Sequence, residues 1–456
     1  MKLRTLIALA LVSTGLISCS EKFFEEFPSN TITEGNFYQT ESDFNQGVYS
    51  CYAKLKTQSG FHITELAYRT EECILESMAV STQDRYDIDH FAENASNGIM
   101  EDIWNAWYNG IYRCNDVLDH MEGKEFPKLT QYKAEVLFLR SWWYFNLYRC
   151  FGGVPIATKV ETPADSKLIP RCTSEQMYER LVEDLTYAVD NLPTKKSSEI
   201  ARVTRMAAQA LLGKVYLTFG KYAEAESVLK TAMNEAEGYG YGLYGTTGEA
   251  FDIKNKRSNK EFIFVLFYNK TNDNGHGYWY SSNTSVAADR RNPTQEFKAL
   301  YDQTKDNRFP LINEYRTISS SVYSMKKWDD EYDKTYTSSV ENDYPHLRYA
   351  DVVLMRAEAL AQQGNVAEAC NYLNMTRTRA GLDKYTTSDK AAFIRELAAE
   401  RGREFALEGQ RWFDLVRLGL AREVLGADDT HLVFPIPNSQ IEIVNNTEIL
   451  WQNPGF

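Results

Sequence analysis

Two stretches, ALLGKVYLTFGKYAEAESVL (210–229) and VLMRAEALAQQGNVAEACNYL (353–373), follow one pattern that decides the fold. Each has small residues on one helical face, then a glycine at a turn, then Ala-Glu-Ala opening the next segment. Small residues let two helices approach closely, and glycine accepts the backbone angles of the turn. Repeated pairs of this kind are typical of tetratricopeptide helical hairpins. The pattern therefore predicts hairpins over residues 205–232 and 349–379.

The rest of the chain also favours helices. Residues Ala134–Tyr148 carry apolar side chains on two faces, which predicts a helix buried between neighbours. Residues 239–347 separate the two hairpins and show little helical periodicity, but their run EFIFVLFY (261–268) suits a strand. We predict a mainly α fold, with one domain over 46–456 built on tetratricopeptide-like hairpins. The 239–347 segment is expected to be an irregular insertion with a few short strands that forms the ligand face, because long irregular segments often carry function.

The N-terminus has the order of a secretory leader: a basic start, an apolar run over Leu6–Val12, and then small residues. The apolar run is too short to span a bilayer, which needs about 20 residues. It is followed by Leu-Ile-Ser-Cys, ending at Cys19, which resembles a bacterial lipobox. We predict a lipoprotein signal peptide over 1–18, acylation of Cys19, and a tether over 19–45 that docks on the domain. The alternative is an ordinary leader cleaved nearby, with Cys19 incidental.

Composition argues against nucleic acid as a partner, and the cysteine spacing does not decide which cysteines, if any, form disulfides. The 456 residues carry a formal net charge of −13. Phosphate contacts need a basic face, so an acidic chain of this kind is not expected to bind nucleic acid. No CxxC pair is present, and the cysteine spacings of an exported protein do not select a disulfide pairing. Mostly buried free thiols are expected at six positions: Cys51, Cys73, Cys114, Cys150, Cys172 and Cys370.

Motifs for cofactors and catalysis lack their required context. The G-x-G-x-x-G of residues 240–245 follows a helical segment, whereas a dinucleotide site needs a strand before the glycines. H-E-x-x-H, G-x-S-x-G and EF-hand spacings do not occur in the sequence. We therefore predict no cofactor and no metal site. A glycosidase needs two carboxylates about 5 to 10 Å apart, and the 63 acidic residues leave such a pair open.

The densest charged cluster is ERGREFALEGQRWFDLVRLG (400–419). Glu400, Glu404 and Glu408 are spaced at i, i+4 and i+8, so they line one face if the helix continues. One interpretation is an acid/base catalytic site. The other, which we favour because each acid has an arginine within one turn, is a partly buried ion network that pins the helix to its neighbours.

Six stretches, in order along nearly the whole chain, resemble the SusD/RagB family of Bacteroidetes outer-membrane lipoproteins. No one stretch is specific, but their order is. They are FFEEFPSNTITEGNFYQTESDFNQGVYSCYAKL (23–55), EDIWNAWYNGIYRCNDVL (101–118), AEVLFLRSWWYFNLYRCFGGVPIATK (134–159), HLRYADVVLMRAEAL (346–360), the 400–419 stretch, and FPIPNSQIEIVNNTEILWQNPGF (434–456).

The resemblance implies a helical scaffold of four tetratricopeptide-like hairpins with irregular segments packed over it. It also implies a lipid-anchored protein on the outer face of the outer membrane that caps a SusC-like TonB-dependent transporter. Such a protein captures oligosaccharides, or in some members other nutrients, and has no catalytic activity. The acids Glu21, Glu25 and Glu26 resemble the surface-export signal of these lipoproteins, although Ser20 precedes them.

Sugars present C–H faces that stack on aromatic rings, and hydroxyl groups that pair with planar polar side chains. A glycan site should therefore combine exposed aromatic and polar residues. STQDRYDID (81–89) is read as a loop after a helical segment, and offers Asp84, Arg85 and Tyr86. Because the family's ligand residues vary between members, none is carried over by position.

GHGYWYSSN (275–283) is the second candidate stretch. Its three consecutive aromatics cannot all face a core if the segment is extended, because alternate side chains point to opposite sides. Core packing remains the alternative for Trp279, and more so for Trp104 and Trp107. The predicted ligand residues of this half are Tyr278, Trp279, Tyr280, Arg290, Arg291 and, as a weaker candidate, Trp328.

Three functions therefore compete. The first is a glycan-binding partner of a transporter. The second is a tetratricopeptide scaffold that binds a protein or another non-glycan ligand, which predicts a long apolar groove. The third is a lipid-anchored glycosidase, which predicts turnover of polysaccharide.

Overall fold

The computed structural model describes residues 37–55, 66–75, 83–195, 202–268, 281–283, 293–319, 322–329 and 342–456. Within these ranges the protein is mainly helical. The helices are α1 (Glu41–Lys54), α2 (Gln83–Asp89), α3 (Gly98–Met121), α4 (Leu129–Phe151), α5 (Pro163–Ser166), α6 (Ser174–Asn191), α7 (Arg205–Thr218), α8 (Tyr222–Tyr239), α9 (Thr247–Phe251), α10 (Gln295–Lys298), α11 (Phe309–Asn313), α12 (Tyr349–Gln362), α13 (Val366–Arg379), α14 (Lys390–Glu404), α15 (Arg411–Arg417), α16 (Ala421–Leu425) and α17 (Asn438–Val444). The strands are β1 (Phe262–Leu266), β2 (Ser281–Asn283), β3 (Tyr315–Ser319), β4 (Val322–Met325) and β5 (Tyr344–Arg348).

The long helices form a continuous scaffold in which each packs on the next, from α3 through α4, α6, α7, α8, α12 and α13 to α14. The helical-hairpin scaffold expected from the sequence is confirmed. The first hairpin is α7 with α8, and the second is α12 with α13. The glycine after the first helix of each pair has a positive φ, 70° at Gly220 and 87° at Gly364, as the turn requires.

The two hairpins lie against each other although a long insertion separates them in the sequence. Helix α8 packs on α12, and Arg356 of α12 forms a 3.0 Å ion pair with Glu226 of α8. Within the first hairpin, a Cβ at Gly213 would come 2.6 Å from the Leu229 side chain. The small residues therefore serve the close helix approach that the repeat predicts.

Helix α4 is buried on both predicted faces. Trp142 and Trp143 point to opposite neighbours, and both are buried. The Trp142 ring packs edge-on against Phe264 of β1, while the Trp143 indole fills the space left by the missing side chain of Gly110 on α3. Gly152, with a φ of 71°, ends the helix. Helix α4 is thus the central element of the core.

The insertion between α8 and α12 contains the predicted strand. That strand, β1, pairs antiparallel with β5, which leads directly into α12. A second sheet has the order β2-β4-β3, with both pairings antiparallel. Strands β1 and β5 pack on helix α7 of the helical scaffold. Among the described residues, no helix has both the length and the apolar character needed to cross a membrane.

Candidate ligand-binding surface

The first predicted ligand segment forms a short helix, α2, and not the loop expected from the sequence. The buried side chain of Arg69 anchors this helix. Its Nη1 donates to the Ile88 carbonyl at 3.1 Å and to the Glu93 carboxylate at 2.6 Å. The same guanidinium lies 4.1 Å from the centre of the Phe91 ring. Helix α2 is therefore fixed to the core through one buried arginine, with Asp84, Arg85 and Tyr86 half-buried on it.

Tyr86 stacks on His90, with ring centroids 3.8 Å apart and planes 17° from parallel. The His90 Nδ1 lies 2.9 Å from the Tyr86 carbonyl, which fixes the imidazole against the phenol ring. The His90 side chain is 42% exposed. Sequence reasoning missed His90, because the i, i+4 spacing from Tyr86 has meaning only once the segment is read as a helix.

Polar side chains join α2 to the start of α3. The Asn97 amide donates to the Asp84 carbonyl at 3.0 Å and its Oδ1 caps α3, so one side chain ties α2 to the start of α3. A Cβ at Gly98 would lie 2.9 Å from the Asp84 carboxylate, so glycine leaves room for that carboxylate in its present position. Beyond it, Asn438 donates to the Ser96 hydroxyl at 3.1 Å. We refer to Asp84, Arg85, Tyr86, His90 and loop 94–98 as the α2 surface.

Tyr278, Trp279, Tyr280, Arg290 and Arg291 lie outside the described residues. One described flank of this segment approaches the α2 surface through the loop Glu71–Leu75. Downstream, the Thr294 hydroxyl donates to the Glu71 carbonyl at 2.6 Å, and the Leu75 amide donates to Asp89 of α2 at 2.9 Å. Burial raises the pKa of Asp89, and the Leu75 hydrogen bond partly opposes this.

Strand β2 directly follows the predicted aromatic residues in sequence. It pairs with β4, and β4 pairs with β3. Burial, together with the nearby Cys73 of the same Glu71–Leu75 loop, raises the pKa of Tyr315 on β3. The downstream flank at Thr294 therefore contacts the loop that is bonded to α2, and β2 belongs to a sheet whose strand β3 lies near the same loop.

Trp328 is removed from the predicted ligand set. It is fully buried, with its ring 5.2 Å from Phe251 and 6.1 Å from Tyr344, so no ring face is open to a ligand. A 3-10 turn at Lys326–Trp328 directs it inward, and its neighbour Lys327 is buried with it in a 2.7 Å ion pair to Glu408. Trp328, the weaker candidate of the sequence analysis, is therefore a core residue. Core packing is confirmed for Trp104 and Trp107.

The acidic residues of the 400–419 stretch form a buried ion cluster, which confirms the favoured interpretation. Glu404 contacts Arg308 at 3.0 Å, Arg348 at 2.6 Å and also Arg379. Glu400 contacts Arg308 at 2.7 Å. We refer to these five residues as the Glu404 cluster. One detail differs from the prediction: α14 ends at Glu404, so Glu408 lies beyond the helix, where it contacts Arg348 at 2.8 Å.

Charge pairing in the Glu404 cluster opposes acid/base chemistry there. Burial alone would raise the pKa of Glu404, but Arg379, Arg348 and Arg308 hold it well below its usual range. Burial also favours a higher pKa for Glu400, but the charges of Arg308 and Arg403 outweigh it, so the pKa of Glu400 is lowered as well. Both carboxylates are buried and ionised, so neither is a proton donor for a sugar at this position. The cluster instead joins the insertion, through β5 and Arg308, to α14.

A cleft of about 610 Å³ lies between α3, α4 and α6, and its lining includes none of the described candidates Asp84, Arg85, Tyr86 and Trp328. Its lining carries both signs of charge, including Asp119, Lys133, Arg180 and Glu183. This is not the long apolar groove expected of a tetratricopeptide scaffold for protein ligands. Within the described ranges, no group of three or more His, Cys, Asp or Glu side chains is arranged to hold a metal ion.

Comparison with known proteins decides the family. Residues 307–433 match the SusD family, and residues 22–217 match the family described as starch-binding associating with outer membrane. The chain belongs to the SusD/RagB family. Among its SusD/RagB relatives, the SusD-like protein P2 of Formosa agariphila is 25% identical, with 97% of each chain covered.

Solved SusD-like structures share the fold. A SusD-like protein of Bacteroides fragilis has a TM-score of 0.80 at 23% identity, covering 94% of this chain and all of the other. A laminarin binding SusD-like protein has a TM-score of 0.76 at 25% identity, covering 92% of this chain and all of the other. The expected mainly α, hairpin-based fold of the SusD/RagB family is therefore confirmed.

Proposed function

We propose that this protein captures oligosaccharides at the cell surface and delivers them to a SusC-like TonB-dependent transporter, without catalysing a reaction. The observation that carries the proposal is the stacked pair of Tyr86 and His90, set among polar side chains at the surface. Two comparisons support the ligand class: the starch-binding description of one matching family, and the laminarin-binding SusD-like structure.

The α2 surface suits a sugar ring for physical reasons. A flat aromatic ring offers a face to the C–H groups of a pyranose, and burying that contact removes apolar area from water. The carboxylate of Asp84 accepts hydrogen bonds from sugar hydroxyls, and the Arg85 guanidinium donates them in a planar fork. Because Arg69 and Asn97 hold α2 in place, little ordering entropy is lost when a ligand binds.

In this proposal the second half of the site comes from Tyr278, Trp279, Tyr280, Arg290 and Arg291. The described flank at Thr294 contacts the loop that is bonded to α2, which supports one continuous site. The sequence around Cys19 supports a lipid anchor that leaves the domain on the outer face of the outer membrane. Two acyl chains would hold it there stably.

A glycan array followed by calorimetry tests the function. The full domain is screened against a broad panel, and laminarin and starch oligosaccharides are then titrated individually. Saturable binding of one glycan class, with the glycan recovered intact by chromatography, supports the proposal. Absence of binding across the panel would overturn glycan capture, and appearance of shorter products would overturn the non-catalytic assignment. Co-purification with a SusC-like transporter from outer membranes tests the partner.

A further inference from the structure

Helix α1 crosses α3 antiparallel and at close range. The Tyr38 hydroxyl, just before α1, donates to Asp116 at 2.8 Å. Further along α1, a Cβ at Gly47 would lie 2.7 Å from the Tyr38 ring and 3.2 Å from the Val117 side chain. The missing side chain therefore leaves room for Tyr38, and it places Gly47 of α1 next to Val117 of α3.

One turn beyond this contact, the register brings two cysteines face to face. Cys51 follows Gly47 by four residues on α1, and Cys114 precedes Val117 by three on α3. The crossing brings the two thiols together, with Cys51 the neighbouring side chain that most affects Cys114, and both residues are fully buried. Both are free thiols in this structure. Residues at i, i+4 and i, i+3 share a helix face, so the antiparallel crossing accounts for the juxtaposition.

We propose that Cys51 and Cys114 form a disulfide bond when the chain folds in the oxidising cell envelope. The inference rests on the envelope location and is independent of glycan binding. Two S–H bonds are broken and one S–S bond is formed. The two electrons and two protons pass to the disulfide of a cell-envelope thiol–disulfide oxidoreductase, which becomes a dithiol. Disulfides form and persist in such compartments.

The burial of the pair sets when the bond forms. Because the thiolate is the attacking species, a buried thiol in a folded protein reacts slowly. Burial, and then the neighbouring Cys51, raise the pKa of Cys114 well above its usual range. Oxidation therefore takes place before α1 has docked fully on α3. The reduced folded protein, once formed, is expected to resist thiol reagents at both positions.

Peptide mapping tests the proposal on the whole chain. The reduced protein is unfolded, refolded in a reduced/oxidised glutathione buffer, denatured, alkylated with N-ethylmaleimide and digested without reduction. The expected result is one linked peptide pair containing Cys51 and Cys114, with Cys150 and Cys370 alkylated. Alkylation of Cys51 and Cys114 in the refolded protein, or linkage spread evenly over the other cysteines, would overturn the inference.

A thermal measurement gives an independent readout. Reducing the oxidised protein should lower its Tm by several degrees, because the bond restricts the unfolded chain between the two helices. The same treatment should leave the Tm of the Cys51→Ser/Cys114→Ser double variant unchanged. An equal fall in both proteins would count against the bond. If the double variant does not fold, peptide mapping of the wild-type chain still decides the question.

Discussion

Arg348, the last residue of β5, donates a 2.6 Å hydrogen bond from Nη1 to Glu404, the last residue of α14. Its Nη2 also donates to the main-chain carbonyl of Glu404. The strand that closes the insertion is thus attached to the helical scaffold at a buried helix end. Since the side chains of both residues are at most 1% exposed, water and salt ions weaken the attraction between their charges very little.

Glu404→Gln should therefore destabilise the fold strongly. The substitution leaves Arg308, Arg348 and Arg379 with less negative charge in a buried site, at a cost of about 3–5 kcal/mol in unfolding free energy. The control is Glu423→Gln, which breaks an exposed ion pair with Arg395. Differential scanning fluorimetry and urea titration should show a large loss for the first and no measurable change for the second. Equal effects would contradict the structural role of the Glu404 cluster.

Glu72 gives the protein a pH dependence. Burial, with a smaller contribution from neighbouring Glu71, raises its pKa to about 8, although the Leu407 amide donates to it at 2.7 Å. The folded protein therefore keeps this carboxyl protonated from its ordinary pKa up to about pH 8, whereas the unfolded chain ionises it. Stability due to this group is complete at low pH and is lost as the pH rises through that window.

Glu72→Gln should abolish this loss, because the amide is neutral at every pH. Relative to the variant, the wild-type protein should become less stable between pH 5 and pH 8, by on the order of 4 kcal/mol. Urea unfolding at several pH values measures the difference, with Glu442→Gln, at an exposed position, as the control. A wild-type to variant difference that is constant with pH would contradict a raised pKa.

Tyr86→Ala should weaken binding of the glycan identified by the array at least tenfold, equivalent to about 1.4 kcal/mol. The Tm should change little, because the side chain is only half-buried. Trp279→Ala should weaken binding in the same direction if the second segment shares the site. Tyr112→Ala removes a tyrosine that is 45% exposed on α3 and serves as the control. Unchanged calorimetric affinity in Tyr86→Ala would exclude the α2 surface as the binding site.

Two glycine-to-alanine substitutions in helices should have different effects on the stability of the protein. A Cβ at Gly110 would lie 2.4 Å from the Trp143 indole nitrogen, so Gly110→Ala forces α3 and α4 apart at a cost of about 1–3 kcal/mol. Gly238 lies in α8 with nothing within 4 Å of a Cβ, so Gly238→Ala should be neutral or stabilising, by up to about 1 kcal/mol. Thermal melts of both variants check the pair, and a Gly110→Ala variant as stable as wild type would contradict the close contact.

Periodic features were predictable from the sequence. The repeated small residues identified both hairpins, and the two apolar faces of Ala134–Tyr148 identified the buried helix, because each signal is local in the chain. The favoured interpretation of the 400–419 stretch held for the same reason. The exception is Glu408, because the helix ends at Glu404 and a turn brings the acid back to Arg348.

Features that depend on distant contacts were not predictable. Trp328 was a candidate ligand residue, but it is buried against Phe251 and Tyr344, which are not its neighbours in sequence. The pairing of Cys51 with Cys114 depends on how α1 crosses α3, which spacing does not reveal. The α2 surface was found only as a set of residue types. The segment is helical and is anchored by Arg69, a contact between residues distant in sequence. The stacking of His90 on Tyr86 depends on that helix.

The insertion is also closed at its base. Gly242, just after α8, donates to the Lys260 carbonyl at 3.0 Å, and Tyr349, at the start of α12, donates to the Glu261 carbonyl at 2.8 Å. The chain therefore leaves and re-enters the scaffold at neighbouring, fixed points. Between β1 and β5, buried residues such as Arg308 and Trp328 also pack into the scaffold, so exchanging this segment between homologues requires that these anchors are kept. The insertion therefore has fixed ends and a few fixed internal anchors, and sequence variation is expected to concentrate between them.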